Sequence, residues 1–196
     1  MNTHHLPALR RLTALAVLGV LLTVGASLGR AQITIYAKFA DGTGVWAGES
    51  TDAGRTGWTN LDNVNFGATN PGGGGVTAFD SVVIVKKVDR LSPQIFATLA
   101  SGTQLNGGAG FPDVNIEFVK VGAAGPVTFF RVELRLASFS QQSTAAGSGD
   151  DALRESVTLK NVAFRFTYWT IQPNGSQGAS VVKSWSTSSN APTFTP

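Results

Sequence analysis

Apolar and polar residues alternate along much of the chain after residue 31, and this pattern predicts β-strands. Residues 33–39 read ITIYAKF, a β-branched and aromatic run that is typical of a strand. Residues 114–118 and 130–136 alternate more strictly, so each places its apolar side chains on one face of a sheet. Residues 82–85 read VVIV, a continuous apolar run that predicts a strand covered on both faces.

Three further strands are predicted from less regular segments. Residues 58–66 are expected to form one strand, and residues 179–185 the last strand. Residues 157–168 are expected to form one long strand. Its apolar phase slips by one residue near Lys160 and Asn161, which predicts a β-bulge there.

One short helix interrupts the strands. Ser92 is expected at the N-cap, Pro93 lies in the first turn, and Gly102 follows the last turn. Ile95 and Leu99 lie at helical spacing between them. The fold class predicted is mainly β, a small antiparallel β-barrel or sandwich with one short helix, and periodicity leaves the choice between barrel and sandwich open.

Residues 1–31 differ from the rest and resemble a secretory signal peptide. Arg10 and Arg11 precede an uncharged, apolar stretch, and small residues flank Arg30 at the spacing of a cleavage site. The domains expected are therefore a signal peptide (1–31), one β domain (32–190) and a loose tail (191–196). We expect an exported protein, secreted, periplasmic or extracellular, with an uncleaved membrane anchor as the alternative.

Removing this leader changes the electrostatic and chemical expectations. Three of the 15 basic residues lie in it, so the 12 that remain balance the 12 acidic residues. Without a basic field, nucleic acid is not an expected partner. The histidines His4 and His5 also lie in the leader, and the chain has no cysteine. These absences argue against a Ser-His-Asp triad, a thiol nucleophile and an ordinary zinc site, so we expect no enzyme and no cofactor.

Other candidate sites carry weak signals. The glycine run at residues 72–75 lacks the Lys-Ser/Thr of a phosphate-binding loop, so a plain loop is favoured. Asp150, Asp151 and Glu155 lack the regular spacing of a calcium loop, which favours a solvated turn. Asp113 and Glu117 would share one strand face, yet nothing else indicates the carboxylate pair of a glycosidase.

The four tryptophans could form a platform on which sugar rings stack, but in a β domain they more often fill the core or subunit contacts. Trp46 is the best candidate for an exposed one, because it lies in a glycine-rich segment. The other three are Trp58, Trp169 and Trp185.

The order of short motifs resembles the haemolysin-coregulated protein (Hcp) family, the tube-forming subunits of type VI secretion. The chain has a GES sequence after the first strand, a K-x-D-x-x-S-P sequence before the helix, and an E-x-V-x-L sequence before the long strand. The positions that carry the resemblance are Gly48, Glu49, Ser50, Lys87, Asp89, Ser92, Pro93, Glu155, Leu159, Tyr168, Gly175 and Trp185.

This resemblance implies a β-barrel subunit that forms hexameric rings with itself, and rings that stack into a tube contacting secreted effectors. A leader is a departure from the family, whose tube subunits normally lack one. The alternative function is a secreted module of the same fold that binds glycans or surface proteins. A hydrolase based on carboxylates is the most distant alternative.

Overall fold

A computed structural model describes residues 32–73, 77–108, 112–122 and 125–196. The predicted leader, and the glycine run from residue 74 onward, lie outside the described residues. The described residues form one compact unit.

Within the described residues the chain folds into strands and one helix, α1, from Ser92 to Ser101. The strands are β1 Ile33–Asp41, β2 Gly44–Val45, β3 Thr59–Leu61, β4 Asn63–Asn65, β5 Ala68–Thr69, β6 Ala78–Phe79, β7 Val82–Lys87, β8 Val114–Gly122, β9 Gly125–Arg135, β10 Ser138–Ala145, β11 Arg154–Lys160, β12 Ala163–Ile171 and β13 Gln177–Ser186.

The strands form two main antiparallel sheets. The larger sheet has seven strands in the order β13-β12-β9-β8-β1-β2, with β3 also paired to β1. The smaller has four strands in the order β10-β11-β7-β4, and β5 and β6 form a separate hairpin. The prediction of a mainly β, antiparallel fold with one short helix is confirmed. No strand pair among the described residues joins the two main sheets, so their hydrogen bonding does not close into one barrel.

The core lies between these sheets and is supplied by alternate residues of each. Phe39 of β1, Leu134 of β9, Ile84 of β7 and Leu159 of β11 have no exposed surface, and Ile95 adds the buried side of α1. A fully buried side chain of this size contributes about 1.5–3 kcal/mol relative to exposure. The face of the seven-stranded sheet opposite these core residues is called the outer face below.

Two segments, each predicted to be one strand, form two strands that belong to different sheets. Residues 58–66 divide into β3, which pairs with β1, and β4, which pairs with β7. Residues 157–168 likewise pass from β11 in the small sheet to β12 in the large one. The predicted bulge near Lys160 is therefore wrong. The slip in apolar phase marks the point where the chain crosses the core.

The structure corrects two further local expectations. Ser92 is the first helical residue rather than the N-cap, which is Leu91. The Ser92 hydroxyl instead accepts a hydrogen bond from the backbone N–H of Asp89, at 3.0 Å. Strand β10 has no counterpart in the sequence-based prediction, because its residues SFSQQSTA are mostly polar and form a sheet edge. The prediction for 82–85 holds on one face: Val82 and Ile84 are fully buried, while the other two residues, Val83 and Val85, are half-buried.

The end of the chain packs on the outer face. The Phe194 ring lies 4.3 Å from the Arg165 guanidinium and 5.2 Å from that of Arg135. Such cation–π contacts contribute about 0.5–1 kcal/mol each at exposed sites. Contacts of this kind do not measure mobility, so the loose tail expected for 191–196 stays a prediction.

Candidate functional site: a buried charge cluster and the sheet edges

Four polar side chains meet beneath the start of α1 and form what we call the buried cluster: Lys86, Asp89, Ser92 and Glu155. The Lys86 ammonium lies 2.6 Å from Asp89 Oδ1 and 2.7 Å from Glu155 Oε1. The ammonium also lies 3.1 Å from the Lys87 carbonyl and 3.2 Å from the Ser92 hydroxyl. The Ser92 hydroxyl in turn donates to Glu155 Oε1 at 2.7 Å. The Lys86 and Glu155 side chains have no exposed surface.

The strand register explains how this cluster arises. Val82 and Ile84 of β7 point into the core, and Lys86 continues the same face. Glu155 is the cross-strand partner of Lys86, on the face of β11 that carries Val157 and Leu159. The ion pair therefore lies at the end of a row of buried apolar side chains. Burying one of these charges there without its partner would cost several kcal/mol. Pairing and hydrogen bonding offset that cost.

The cluster contains a serine beside a lysine, a pair that in other proteins activates a nucleophile. Here the ammonium is held by two carboxylates, and the Ser92 hydroxyl donates its proton to Glu155. Lys86 has no exposed surface and Ser92 is buried, so neither the ammonium nor the hydroxyl is open to a substrate. Gln142 covers the other oxygen of Glu155, donating from Nε2 at 2.5 Å, and also reaches the Ser92 carbonyl. The cluster therefore joins α1 to β7, β10 and β11 rather than performing catalysis.

The sequence argument singled out Lys87, whereas Lys86 occupies the buried cluster. Lys87 points to the surface, where its ammonium lies 3.0 Å from Asp151 Oδ2. The alternation of β7 is the signal that identifies Lys86, because it continues the phase of two buried residues. The pKa of Asp151 is lowered by its hydrogen bond from Lys87 and by the positive charges of Lys87 and Arg154.

The acidic residues weighed as a calcium site do not converge. Glu155 points into the core, while Asp151 is exposed and paired with Lys87. Asp150 instead accepts a hydrogen bond from the backbone N–H of Gly147. Among the described residues, no group of three or more potential ligand side chains is arranged to hold a metal ion.

The GES residues fix the loop between β2 and β3. Gly48 approaches the Trp58 carbonyl so closely that a Cβ atom would collide with it. The backbone N–H of Ser50 donates to that carbonyl at 2.8 Å. Glu49 Oε1 accepts a hydrogen bond of 3.0 Å from the backbone N–H of Arg90, which precedes the helix. The loop is thereby attached to the same turn that carries the buried cluster.

The remaining motif positions serve different parts of the fold. Pro93 occupies the first turn of α1, and Leu159 is a fully buried core residue of β11. Gly175 has φ of 81°, a left-handed conformation that favours glycine, in the turn between β12 and β13. Tyr168 and Trp185 lie on these two strands, and Tyr168 is about half exposed. The motif residues therefore do not form one site.

The tryptophan platform is also not formed. Trp46, expected to be exposed, is only 5% exposed and packs against Phe39 and Phe139 at 6.0 Å from each ring. Its indole N–H donates to Asp41 Oδ2 at 2.8 Å. The pKa of Asp41 is lowered: burial acts to raise it, and the hydrogen bonds from Thr43 and Trp46 outweigh that effect.

Two of the other three tryptophans, Trp58 and Trp169, are covered by basic side chains, while the third, Trp185, lies on β13. Lys38 lies 5.6 Å from the Trp58 ring, and Arg131 lies 5.1 Å from that of Trp169. Each cation occupies a ring face that a sugar would need for stacking. These positions therefore do not combine into a glycan-binding surface.

Asp113 and Glu117 do not line a common groove. Asp113 is buried and accepts hydrogen bonds from the backbone N–H groups of Gly107 and Ala137. These bonds attach two connecting segments to the start of β8. Glu117 lies on the outer face of β8 and is held by two arginines. Arg55 donates to its Oε2 at 2.9 Å, and Arg131 to its Oε1 at 2.6 Å. Both carboxylates have structural partners.

The two main sheets end in strands that offer unpaired backbone groups. β13 forms one edge of the seven-stranded sheet, and β10 forms one edge of the four-stranded sheet. β13 has ten residues and β10 has eight, so both are long for edge strands. Val181 and Val182 on β13 are more than half exposed. Long, exposed edges of this kind are templates for pairing with another chain.

Comparison with known proteins gives one family and several related structures. The family described as "Type VI secretion system effector, Hcp" matches residues 31–172, well over half of the chain. Among curated protein sequences no relative matches.

Three solved structures illustrate the likeness of fold. A type six secretion system protein has a TM-score of 0.71 at 18% identity, over 82% of this chain and 99% of that one. Hcp1 from Salmonella typhimurium gives 0.64 at 19% identity, over 81% and 97%. The secreted protein Hcp3 from Pseudomonas aeruginosa gives 0.59 at 18% identity, over 79% and 99%. In the described part of this chain, no helix is long and apolar enough to cross a membrane.

Proposed function

Because the chain belongs to the Hcp family of type VI secretion proteins, we propose that it is a structural tube subunit that forms hexameric rings with itself. The rings stack into a tube that contacts secreted effectors. In this proposal the subunit acts through its shape, because ring closure, pore width and surface contacts, rather than catalytic groups, determine what it does.

The pair of long, unlike sheet edges is the observation that carries this proposal. A closed ring needs a heterologous contact, in which one surface of a subunit meets a different surface of the next. β13 and β10 belong to different sheets and differ in sequence, so pairing one with the other gives such a contact. Ring closure would also protect both edges from uncontrolled association.

Export through its own leader is the second part of the proposal. The basic start, apolar centre and small-residue exit of residues 1–31 support it. In that case subunits assemble after crossing the membrane, in a periplasmic or extracellular location. Subunits that fold outside the cell without disulfides depend on their core and on association for stability.

Assembly can be tested with residues 32–196, which correspond to the compact unit of the structure. We expect rings at micromolar concentration, measured by size exclusion with light scattering and imaged by negative-stain microscopy. Val182→Lys adds a charge to the β13 edge and should lower the fraction of rings. Val121→Lys, at an exposed valine on the β8–β9 hairpin, is the matched control and should not.

Two results would overturn the proposal. A clean monomer at high concentration, with no rings on grids, would remove the tube function and favour a secreted binding module. Rings that tolerate Val182→Lys as well as Val121→Lys would show that the β13 edge is not the contact.

A further inference from the structure

Residues 187–194 fold back on β13. Ser186 and Ala191 exchange two backbone hydrogen bonds, 2.9 Å from the Ser186 N–H and 3.3 Å from the Ala191 N–H. The turn between them includes Asn190, whose φ of 49° is a left-handed conformation that asparagine tolerates. The segment therefore returns antiparallel to β13.

This contact lies on the free edge of β13, the side that faces away from β12. The backbone N–H of Thr187 donates to the Val162 carbonyl at 2.8 Å, on the β12 side. Because the backbone groups of successive residues in an antiparallel strand point to opposite sides, Ser186 faces the free edge. Ser184 and Val182 face it for the same reason. The returning segment thus begins an additional strand on this edge.

The additional strand stops after one pair of residues. Pro192 follows Ala191 and has no N–H to donate to the next pair. The backbone N–H of Thr193 turns back to the Ala191 carbonyl, at 2.7 Å. The Pro192 carbonyl accepts a 3.4 Å hydrogen bond from the Ser184 hydroxyl instead. The segment therefore covers the last part of the edge and offers no continuous edge of its own.

Phe194 attaches this segment to the outer face of the sheet. Its ring lies 4.3 Å from the Arg165 guanidinium on β12 and 5.2 Å from that of Arg135 on β9. Two hydrogen bonds of 2.6 Å to Glu133 hold the Arg165 guanidinium in place. The anchor of the segment is therefore an aromatic ring on two cations, at a distance from the edge that the segment covers.

Exposure along β13 follows the same division. Residues 179–183 are exposed, Ser184 and Trp185 are half-buried, and Ser186 has no exposed surface. The segment covers the last part with one backbone pair and its Phe194 anchor. A strand added along the whole edge pairs with Val182 and Ser184 as well as Ser186, and so gains more main-chain hydrogen bonds than the segment provides. The segment is therefore displaceable by such a strand.

We propose that residues 191–194 are a latch on the β13 edge. When the latch is closed, strand addition is limited to the first part of β13. When it opens, Ser184 and Ser186 become free and an extended segment of another chain can pair with the whole strand. Phe194 controls the opening, because its contacts with two arginines hold the latch to the sheet. The inference does not depend on ring formation, since every contact it uses lies within one subunit.

Hydrogen exchange measures the closed latch directly. Phe194→Ala removes the anchor, so we expect the Ser186 amide to exchange at least about fivefold faster in dilute protein. Phe194→Tyr keeps an aromatic ring and should exchange like the unaltered protein, whereas Phe194→Leu should resemble Phe194→Ala. Phe96→Ala is the matched control, because Phe96 is exposed on α1. Unchanged exchange in Phe194→Ala, or an equal change in Phe96→Ala, would overturn the inference.

The absence of cysteine from the sequence allows the latch to be locked. Residues paired as Ser186 and Ala191 are have Cα atoms about 5.5 Å apart, within the range of about 4.4–6.8 Å that a disulfide spans. Ser186→Cys with Ala191→Cys is therefore expected to close the latch covalently on oxidation. The reduced form of the same variant is its control.

Association then shows what the latch regulates. Adding Phe194→Ala to the reduced cysteine pair should raise the apparent mass at a given concentration, measured by light scattering, and oxidation should reverse this rise. An apparent mass that is the same in the oxidised and reduced forms would overturn the regulatory role of the latch. A clean monomer of the unaltered protein would remove the proposed ring function, while a rise in Phe194→Ala that oxidation reverses would still support the latch.

Discussion

Two groups of charged side chains stabilise this fold, and they differ in how much water reaches them. In the buried cluster, Lys86 and Glu155 have no exposed surface and lie at the end of the buried apolar side chains of β7 and β11. On the outer face of the seven-stranded sheet, Glu117 is nearly enclosed, but its partner Arg131 keeps 32% of its side-chain surface exposed. Similar ion pairs therefore act in a dry environment in one case and at the boundary with solvent in the other.

The difference determines what each group contributes. Removing one partner from an enclosed pair leaves a charge that water cannot reach, which costs about 3–5 kcal/mol. Exposed pairs contribute about 0–1 kcal/mol, because water replaces a lost partner. The buried cluster is therefore expected to be essential for the fold, while the outer-face pairs adjust its stability.

The largest effect is expected from Glu155→Ala, which leaves Lys86 with one carboxylate and opens a space beneath α1. We expect a loss of about 3–5 kcal/mol in the free energy of unfolding. Asp151→Ala is the control: it removes the exposed carboxylate that pairs with Lys87 and should cost no more than an ordinary surface change. Urea denaturation followed by tryptophan fluorescence measures both. Equal losses in the two variants would contradict the comparison.

The sequence predicted the strand segments that keep one register within one sheet. Residues 114–118 pair with β1 and with residues 130–134 without a shift, and the apolar residues that alternate in these two segments pack in or against the core. The sequence-based prediction failed where the chain passes from one sheet to the other. A slip in the apolar phase at Lys160 has the same pattern for a β-bulge and for a chain that crosses between sheets. Which of the two occurs depends on long-range pairing with β10 and β9, which local periodicity does not contain.

The candidate site shows the same limit. Lys86 could have been recognised, since it continues the alternation of Val82 and Ile84. Its partner Glu155 lies 69 positions away, and only the register of β7 against β11 places the two side chains together. The prediction that Trp46 is exposed was wrong for a related reason. Its glycine-rich surroundings indicate a loop, but the loop folds inward onto Phe39 and Phe139.

An intermediate effect is expected from Glu117→Gln, which keeps the shape of the side chain but removes its charge. Glu117 accepts hydrogen bonds from Arg55, Arg131 and Thr128. We expect a loss of about 1–2 kcal/mol, between the values for enclosed and exposed pairs. Glu133→Gln is the comparison, since Glu133 pairs with the single arginine Arg165, and it should cost less. A larger loss in Glu133→Gln would show that the number of arginine partners does not set the effect.

The smallest effect concerns Tyr36, whose phenol donates a 2.6 Å hydrogen bond to Asp52 Oδ2 on the outer face. Burial raises the pKa of Tyr36 above its ordinary value of 10.0, and the hydrogen bond to Asp52 and the negative charge of that carboxylate raise it further. The folded protein therefore holds the phenol proton more tightly than the unfolded chain does. This contribution to stability is complete below about pH 10 and is lost as the pH rises through the higher folded-state pKa.

Tyr36→Phe should lose about 1 kcal/mol at neutral pH, as expected for one hydrogen bond, and should show a smaller decline in the free energy of unfolding above pH 10. Asp52→Asn removes the charge but keeps an acceptor, so its decline should lie between those of the unaltered protein and Tyr36→Phe. Urea titrations at pH 8, 10 and 11 provide the measurement, and an unchanged decline in Tyr36→Phe would show that Tyr36 does not couple ionisation to folding.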